Sequence, residues 1–138
     1  MTVRPIRLVV VDDQPLFAAG MQMLIEAQPD LACVGVAENG RDAVDLIERE
    51  RPDLALMDLR MPVMNGIQAT QRLLDPHAGV PGVSVVVLTT IQRDEAVYHA
   101  LHAGAAGFLT KDATPDVVLG TIRSVYFEQA SPSDRAAR

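Results

Sequence analysis

The feature that most limits what this chain can fold into is a rhythm. Five short apolar runs recur, each closed by a turn and followed by a stretch with helical spacing. The runs cover residues 6–11, 31–37, 54–57, 83–88 and 107–109. The first and fourth, IRLVVV and VSVVVL, are β-branched and almost unbroken. Runs of that kind suit strands covered on both faces, as in a parallel sheet. The second, LACVGVA, is more mixed and is expected near a sheet edge.

The stretches between them repeat every three to four residues, the period of a helix with one apolar face. After Pro15, apolar or small residues fall at Leu16, Ala19, Gly20, Met23, Leu24 and Ala27. Pro15 fits the first helical turn, where its missing N–H is not needed. A helix over 40–51 places Ala43, Val44, Leu46 and Ile47 inward, and one over 66–75 places Ile67, Leu73 and Leu74. A short helix over 94–103 carries Ala96, Val97, Ala100 and Leu101, and Gly104 suits its C′ position. The last, over 115–128, carries Val117, Val118, Ile122 and Val125, the last three as core residues rather than a dimer stripe.

Five strands alternating with five helices predict an α/β sandwich with right-handed crossovers. At 138 residues there is room for one such domain, with the flavodoxin-like order 2-1-3-4-5. Helices should lie on both faces of the five-stranded parallel sheet. Any site should sit at the carboxyl ends of strands 1, 3 and 4, beside the switch in strand order. The domain is expected to span 1–130. The polar tail 131–138, SPSDRAAR, reads as a linker.

Composition narrows the function classes. Hydrophobic residues make up 49%, enough for a core, but aromatics are only 4%, so aliphatic side chains must fill it. A net charge of −6 argues against nucleic acid or an anionic membrane as a direct partner. A single cysteine, Cys33, excludes a disulfide framework and reads as a small buried hydrophobe on the second strand. No apolar run approaches the ~20 residues of a membrane span. MTVRPIR lacks the apolar core of a signal peptide, so the expected location is cytoplasmic.

The predicted rim gathers Asp12 and Asp13 from strand 1, Asp58 from strand 3, Thr89 and Thr90 from strand 4, and Lys111 after strand 5. Each alone is an ordinary turn or surface residue. Together they are hard to explain without a ligand. Clustered carboxylates repel one another unless a cation is present, and an all-oxygen set suits Mg²⁺. Zinc is disfavoured, because His77, His99 and His102 lie elsewhere. A metal, an ammonium and a hydroxyl form a cradle for a phosphoryl group. Asp58, ending the central strand, is the best nucleophile for an acyl phosphate. The loop Arg60-Met61-Pro62 can bring a backbone carbonyl to the metal, and Gly66 lets that loop turn tightly. Met61 and Met64 flank it and could shield it from water.

The segments VVVDDQP, LMDLRMPVMNG, VVLTT and GFLTKDA carry a resemblance across nearly the whole chain. The chain resembles a receiver domain of a two-component response regulator. The wording DDQPLFAAGMQMLIEAQPD, the Arg in DLRMP, and KDA after the last strand are most similar to the NarL/FixJ branch. The resemblance implies that Asp58 is the phospho-acceptor, with Asp13 a direct Mg²⁺ ligand and Asp12 its neighbour. Arg60 would offer its backbone carbonyl. Thr89 would be the switch hydroxyl, Lys111 the partner of a phosphoryl oxygen, and Phe108 the switch aromatic. The implied partner is a sensor histidine kinase. A phosphorylation-linked homodimer and a helix-turn-helix DNA-binding output domain, absent from these residues, are also implied. The role is signalling rather than enzymatic turnover. Asp112 follows Lys111 where many receivers have proline, and Phe108 lacks the hydroxyl of a switch tyrosine.

Three alternatives share parts of this pattern. A haloacid-dehalogenase-type phosphatase needs a second aspartate two residues after the nucleophile, and that position is Arg60. A phosphorylation-independent interaction module usually lacks one of the five key side chains, and none is missing here. A flavodoxin would place FMN phosphate against Asp12 and Asp13, which would repel it.

Overall fold

The structure is a computed structural model and describes residues 4–90 and 95–129. Its strands are β1 (Ile6–Val11), β2 (Leu31–Ala37), β3 (Leu54–Asp58), β4 (Ser84–Thr89) and β5 (Gly107–Thr110). They alternate with α1 (Pro15–Glu26), α2 (Gly40–Glu50), α3 (Gly66–Leu73), α4 (Glu95–His102) and α5 (Pro115–Gln129). All four strand pairings are parallel, in the order β2-β1-β3-β4-β5. This is the expected fold. The expected boundary near Ala130 and the tail 131–138 lie outside the described residues, as does residue 94 at the start of the fourth predicted helix.

Alternation along the strands builds two cores. Ile6, Leu8, Val10, Leu54, Leu56, Val86 and Leu88 point to one face, where they meet Ala18, Met21 and Ile25 of α1 and Val118, Ile122 and Val125 of α5. Val9, Val11, Ala55, Met57, Val85 and Val87 point to the other, against Ala43, Val44 and Ile47 of α2, Ala69 and Leu73 of α3, and Val97 and Ala100 of α4. Full burial of each aliphatic side chain contributes roughly 1.5–3 kcal/mol before the entropy of ordering is subtracted. β2 lies at the edge, as its composition suggested, and its pairing with β1 slips between Leu8 and Val9.

Helix α1 does not bury the face that its spacing predicts. The buried residues are Ala18, Met21 and Ile25, while Leu16 is 90% and Met23 73% exposed. Only Gln22 and Glu26 are polar in this helix, so two neighbouring faces are both apolar. Periodicity cannot choose between them, and contact with the sheet does. Leu101 and Val117 likewise turn outward. The other predicted inward positions on α2 and α5 are buried.

Chain entries and exits follow local chemistry. Pro15 opens α1, as predicted. Asn65 caps α3 by accepting from Gln68 N–H at 2.9 Å, and the Gln68 side chain accepts from Asn65 N–H at 3.0 Å. Gly104 follows α4 with φ of +109°, a conformation that costs any other residue. The Arg123 guanidinium ties α5 to the turn before β2, donating to both oxygens of Asp30 at 2.9 Å and to Gln28 at 3.1 Å. No helix among the described residues is long and apolar enough to cross a membrane.

Candidate phosphoryl-acceptor site

The parallel sheet delivers the predicted residues to one rim. Asp58 is the last residue of β3 and is only 5% exposed. Asp12 follows β1, and its main chain still bonds to Ala37 of β2. Its carboxylate turns the chain into α1 by accepting from Gln14 N–H at 2.8 Å. Asp13, the next residue, is exposed. One oxygen from each of Asp12, Asp13 and Asp58 lies within 4.8 Å of the others. Thr89 ends β4 and is buried. Lys111 is fastened beside it, since Lys111 N–H donates to the Thr89 carbonyl at 2.8 Å. The Lys111–Asp112 peptide bond is trans.

The charges are tightly coupled. Lys111 Nζ stands 2.7 Å from Asp12 Oδ2 and 3.4 Å from Asp58 Oδ2. The shorter contact is one of charge without hydrogen-bond alignment, so the buried Asp12 Oδ2 accepts no hydrogen bond. Burial, and then the neighbouring Asp12 carboxylate, push the Asp58 carboxyl up to about 6, against the pull of Lys111 and the Arg60 N–H. Three carboxylates face one ammonium, which leaves an excess of negative charge. A buried carboxylate oxygen held only by an ion pair, beside that excess, fits a divalent cation with oxygen ligands. Asp12, Asp13 and Asp58 are the residues that could hold it.

A cavity of about 260 Å³ opens over Asp58, lined by Asp13, Gln14, Arg60, Thr89, Thr90 and Lys111. A second, of about 420 Å³, adjoins it between the loop after β3 and α4, and Asp13, Arg60, Met61, Asn65 and Ala96 line it. The loop is shaped by a γ-turn in which Met64 N–H donates to Pro62 O at 2.8 Å with Val63 at φ +69°. Gly66 serves this loop differently from the tight turn expected of it. A Cβ there would collide with the Asp58 carbonyl oxygen, so glycine is needed for close approach. The helix α3 can then start directly against the end of β3, with Gly66 N–H bonded to Leu59 O at 3.0 Å.

Residues 8–123 match the family model described as the response regulator receiver domain. The chain belongs to this family. The receiver domain is 37% identical over 119 residues to the transcriptional regulatory protein YxjL of Bacillus subtilis, covering 86% of this chain and 53% of that protein. It is 37% identical over 115 residues to the nitrate/nitrite response regulator NarL of Escherichia coli, covering 83% and 52%. The receiver domain of a NarL response regulator from Mycobacterium tuberculosis superposes with a TM-score of 0.82 at 33% identity, covering 89% of this chain and 97% of that one. Its relatives are thus NarL/LuxR-type regulators of two-component systems. The chain spans about half the length of the curated relatives it matches. Receiver domains bind Mg²⁺ at an acidic pocket, and this chain gathers Asp12, Asp13 and Asp58 at its rim.

In this receiver domain, Asp12, Asp13, Asp58, Thr89 and Lys111 come together as predicted. Arg60 lines both cavities, its N–H 3.5 Å from Asp58 Oδ1. Phe108 lies on β5, paired in register with Val87 and 39% exposed. Met61 reaches the adjoining cavity, but Met64 sits at the start of α2, where its carbonyl accepts from Gly40 N–H at 2.7 Å. Cys33 is half-buried rather than buried; burial pushes its thiol up, so it is a poor nucleophile. His99 and His102 are both exposed, and His102 stacks on Tyr98. Sequence reasoning missed Gln14 and Phe17, which touch Lys111. The one clue was a glutamine just before Pro15, where a capping residue would be Ser, Thr, Asp or Asn.

Proposed function

We propose that this receiver domain accepts a phosphoryl group on Asp58 from the phosphohistidine of a sensor kinase, in a Mg²⁺-dependent reaction, and thereby controls a transcriptional output. The observation that carries the reading is the placement of Asp58. It is a buried carboxylate at a strand end, flanked by Lys111 and two further aspartates, under an open cavity.

The chemistry follows from that placement. An Asp58 oxygen attacks phosphorus, the P–N bond of the donor breaks, and its electron pair leaves on the imidazole nitrogen, which takes up a proton. Bound Mg²⁺ supplies a positive centre that offsets the carboxylates and the phosphoryl oxygens. Asp12, Asp13 and Asp58 hold it, with the Arg60 carbonyl as a further ligand. Lys111 provides a fixed positive charge for a phosphoryl oxygen. With the carboxyl at about 6, most of Asp58 is ionised at pH 7 and can act as nucleophile.

The product carries about −1.5 to −2 of new charge at pH 7. Thr89 offers a hydroxyl to it from β4. A shift of Thr89 frees space toward Phe108 on the neighbouring strand β5, which alters the surface around α4, β5 and α5. That is a local electrostatic event biasing a two-state surface. The output itself, DNA binding in regulators of this type, belongs to a further domain.

Incubation with acetyl phosphate and Mg²⁺, followed by intact-mass measurement, tests the reading. A hydroxylamine-sensitive adduct that needs Mg²⁺ and disappears in Asp58→Asn is the expected result. An adduct that survives in Asp58→Asn would assign the acceptor elsewhere.

A further inference from the structure

We propose that Gln14 and Phe17 are positioning residues that hold the Lys111 ammonium over the acceptor carboxylate. The proposal rests on the phosphoryl-transfer reading above and deepens it.

Among the described residues, four groups close on the ammonium. Asp12 Oδ2 lies at 2.7 Å and Asp58 Oδ2 at 3.4 Å. Gln14 Oε1 accepts a hydrogen bond from Nζ at 2.8 Å, and the Phe17 ring centroid lies 4.8 Å away. The last two flank the start of α1: Gln14 is its extended N-cap and Phe17 lies in its first turn. With its two carboxylates alone, the ammonium would favour Asp12, the closer and more deeply buried of the pair. A neutral amide oxygen and an aromatic face restrain it without neutralising it. A third carboxylate would hold the lysine harder, but it would weaken the positive charge offered to an incoming phosphoryl group. Glutamine and phenylalanine avoid that loss.

The helix gives independent support. Gln14 is the N-cap residue of α1, yet its side chain makes no capping bond. Its oxygen is bonded to Lys111 instead. The contact also makes Lys111 a partition. On one side is the acceptor cavity; on the other is an apolar groove of about 310 Å³ between α1 and α5, where Phe17 and Lys111 both contribute to the wall.

The test uses Phe17→Leu, which keeps apolar bulk and removes the ring face, Phe17→Tyr, which restores the face, and Gln14→Met, which keeps length and removes the acceptor. Thermal melting checks that each folds. Phosphoryl uptake from acetyl phosphate at saturating Mg²⁺ should slow about threefold to tenfold in Phe17→Leu, the range expected of one cation–π contact. Gln14→Met should slow similarly, Phe17→Tyr should recover, and Mg²⁺ affinity should hold throughout. In a Lys111→Met background, Phe17→Leu should cause no further loss, because the effect passes through the lysine. Without any donor, the Lys111 Hε protons should resonate upfield in the parent and move downfield in Phe17→Leu. Unchanged uptake with unmoved Lys111 resonances would overturn the proposal, as would an equal loss in the Lys111→Met background. A parent chain that takes up no phosphoryl group would overturn the functional reading and with it the purpose of the restraint. The Lys111 resonances then separate the two failures.

Discussion

The two ends of the sheet use the same kinds of charged residue to opposite effect. At the amino end, Asp53 accepts from Arg7 N–H at 2.9 Å and from the Arg4 side chain at 3.3 Å. The Arg7 guanidinium donates to the carbonyls of Glu50 and Arg51, closing the end of α2. Acids there face arginines and backbone donors, and the cluster needs nothing from outside. At the carboxyl end, three acids gather around one lysine that pairs with two of them, and one carboxyl is held near 6. A balanced cluster fastens elements together. An unbalanced one is completed by a ligand, and the fold tolerates its cost because the two large cores supply the stability.

The sharpest way to break this contrast is Gly66→Ala. The methyl group meets the Asp58 carbonyl and must displace either α3 or β3. The expected loss is about 2–4 kcal/mol in urea unfolding, with phosphoryl uptake falling alongside it. Stability unchanged within error would mean that the close approach is not obligatory.

Asp58→Asn should act in the opposite direction on the metal-free protein, since it removes one of the repelling carboxylates. In the folded chain the Asp58 carboxyl sits at about 6 against an ordinary 3.8. The folded state therefore binds more protons than the unfolded state between these values, and stability falls as pH rises through that window. The Asn variant escapes this loss. Its melting temperature should exceed that of the parent by roughly 5 °C at pH 7. The gap should close near pH 4, where both side chains are neutral. A gap that persists at pH 4 would point to packing rather than charge.

Asp53→Ala, at the balanced end, should have the smallest effect. Losing the acceptor for Arg7 N–H and the Arg4 side chain should cost about 1–2 kcal/mol, with phosphoryl uptake within twofold of the parent. A large loss of uptake would show that the two ends communicate.

Much of this was legible before any coordinates. The β-branched runs of β1 and β4 read as strands covered twice, and the strand order brings Asp12, Asp58, Thr89 and Lys111 to one rim. What was not legible depended on choices that spacing leaves open. Helix α1 is apolar on two faces, so its inward residues are decided by the sheet rather than by its own period. Gly66 was expected to turn the chain, but its role depends on a carbonyl eight residues earlier. Gln14 and Phe17 are ordinary residues in the sequence. They become part of the site only because Lys111, 97 positions from Gln14, folds back onto them.

The alternation along β1, β3 and β4 sends neighbouring residues into two interiors separated by the sheet itself. Each strand is thus a shared wall between two compartments that can diverge separately. A volume change behind α5 can be compensated by another residue behind α1 or α5, without consulting α2, α3 or α4. A substitution that repacks one side leaves the rim, anchored to the wall, with its geometry.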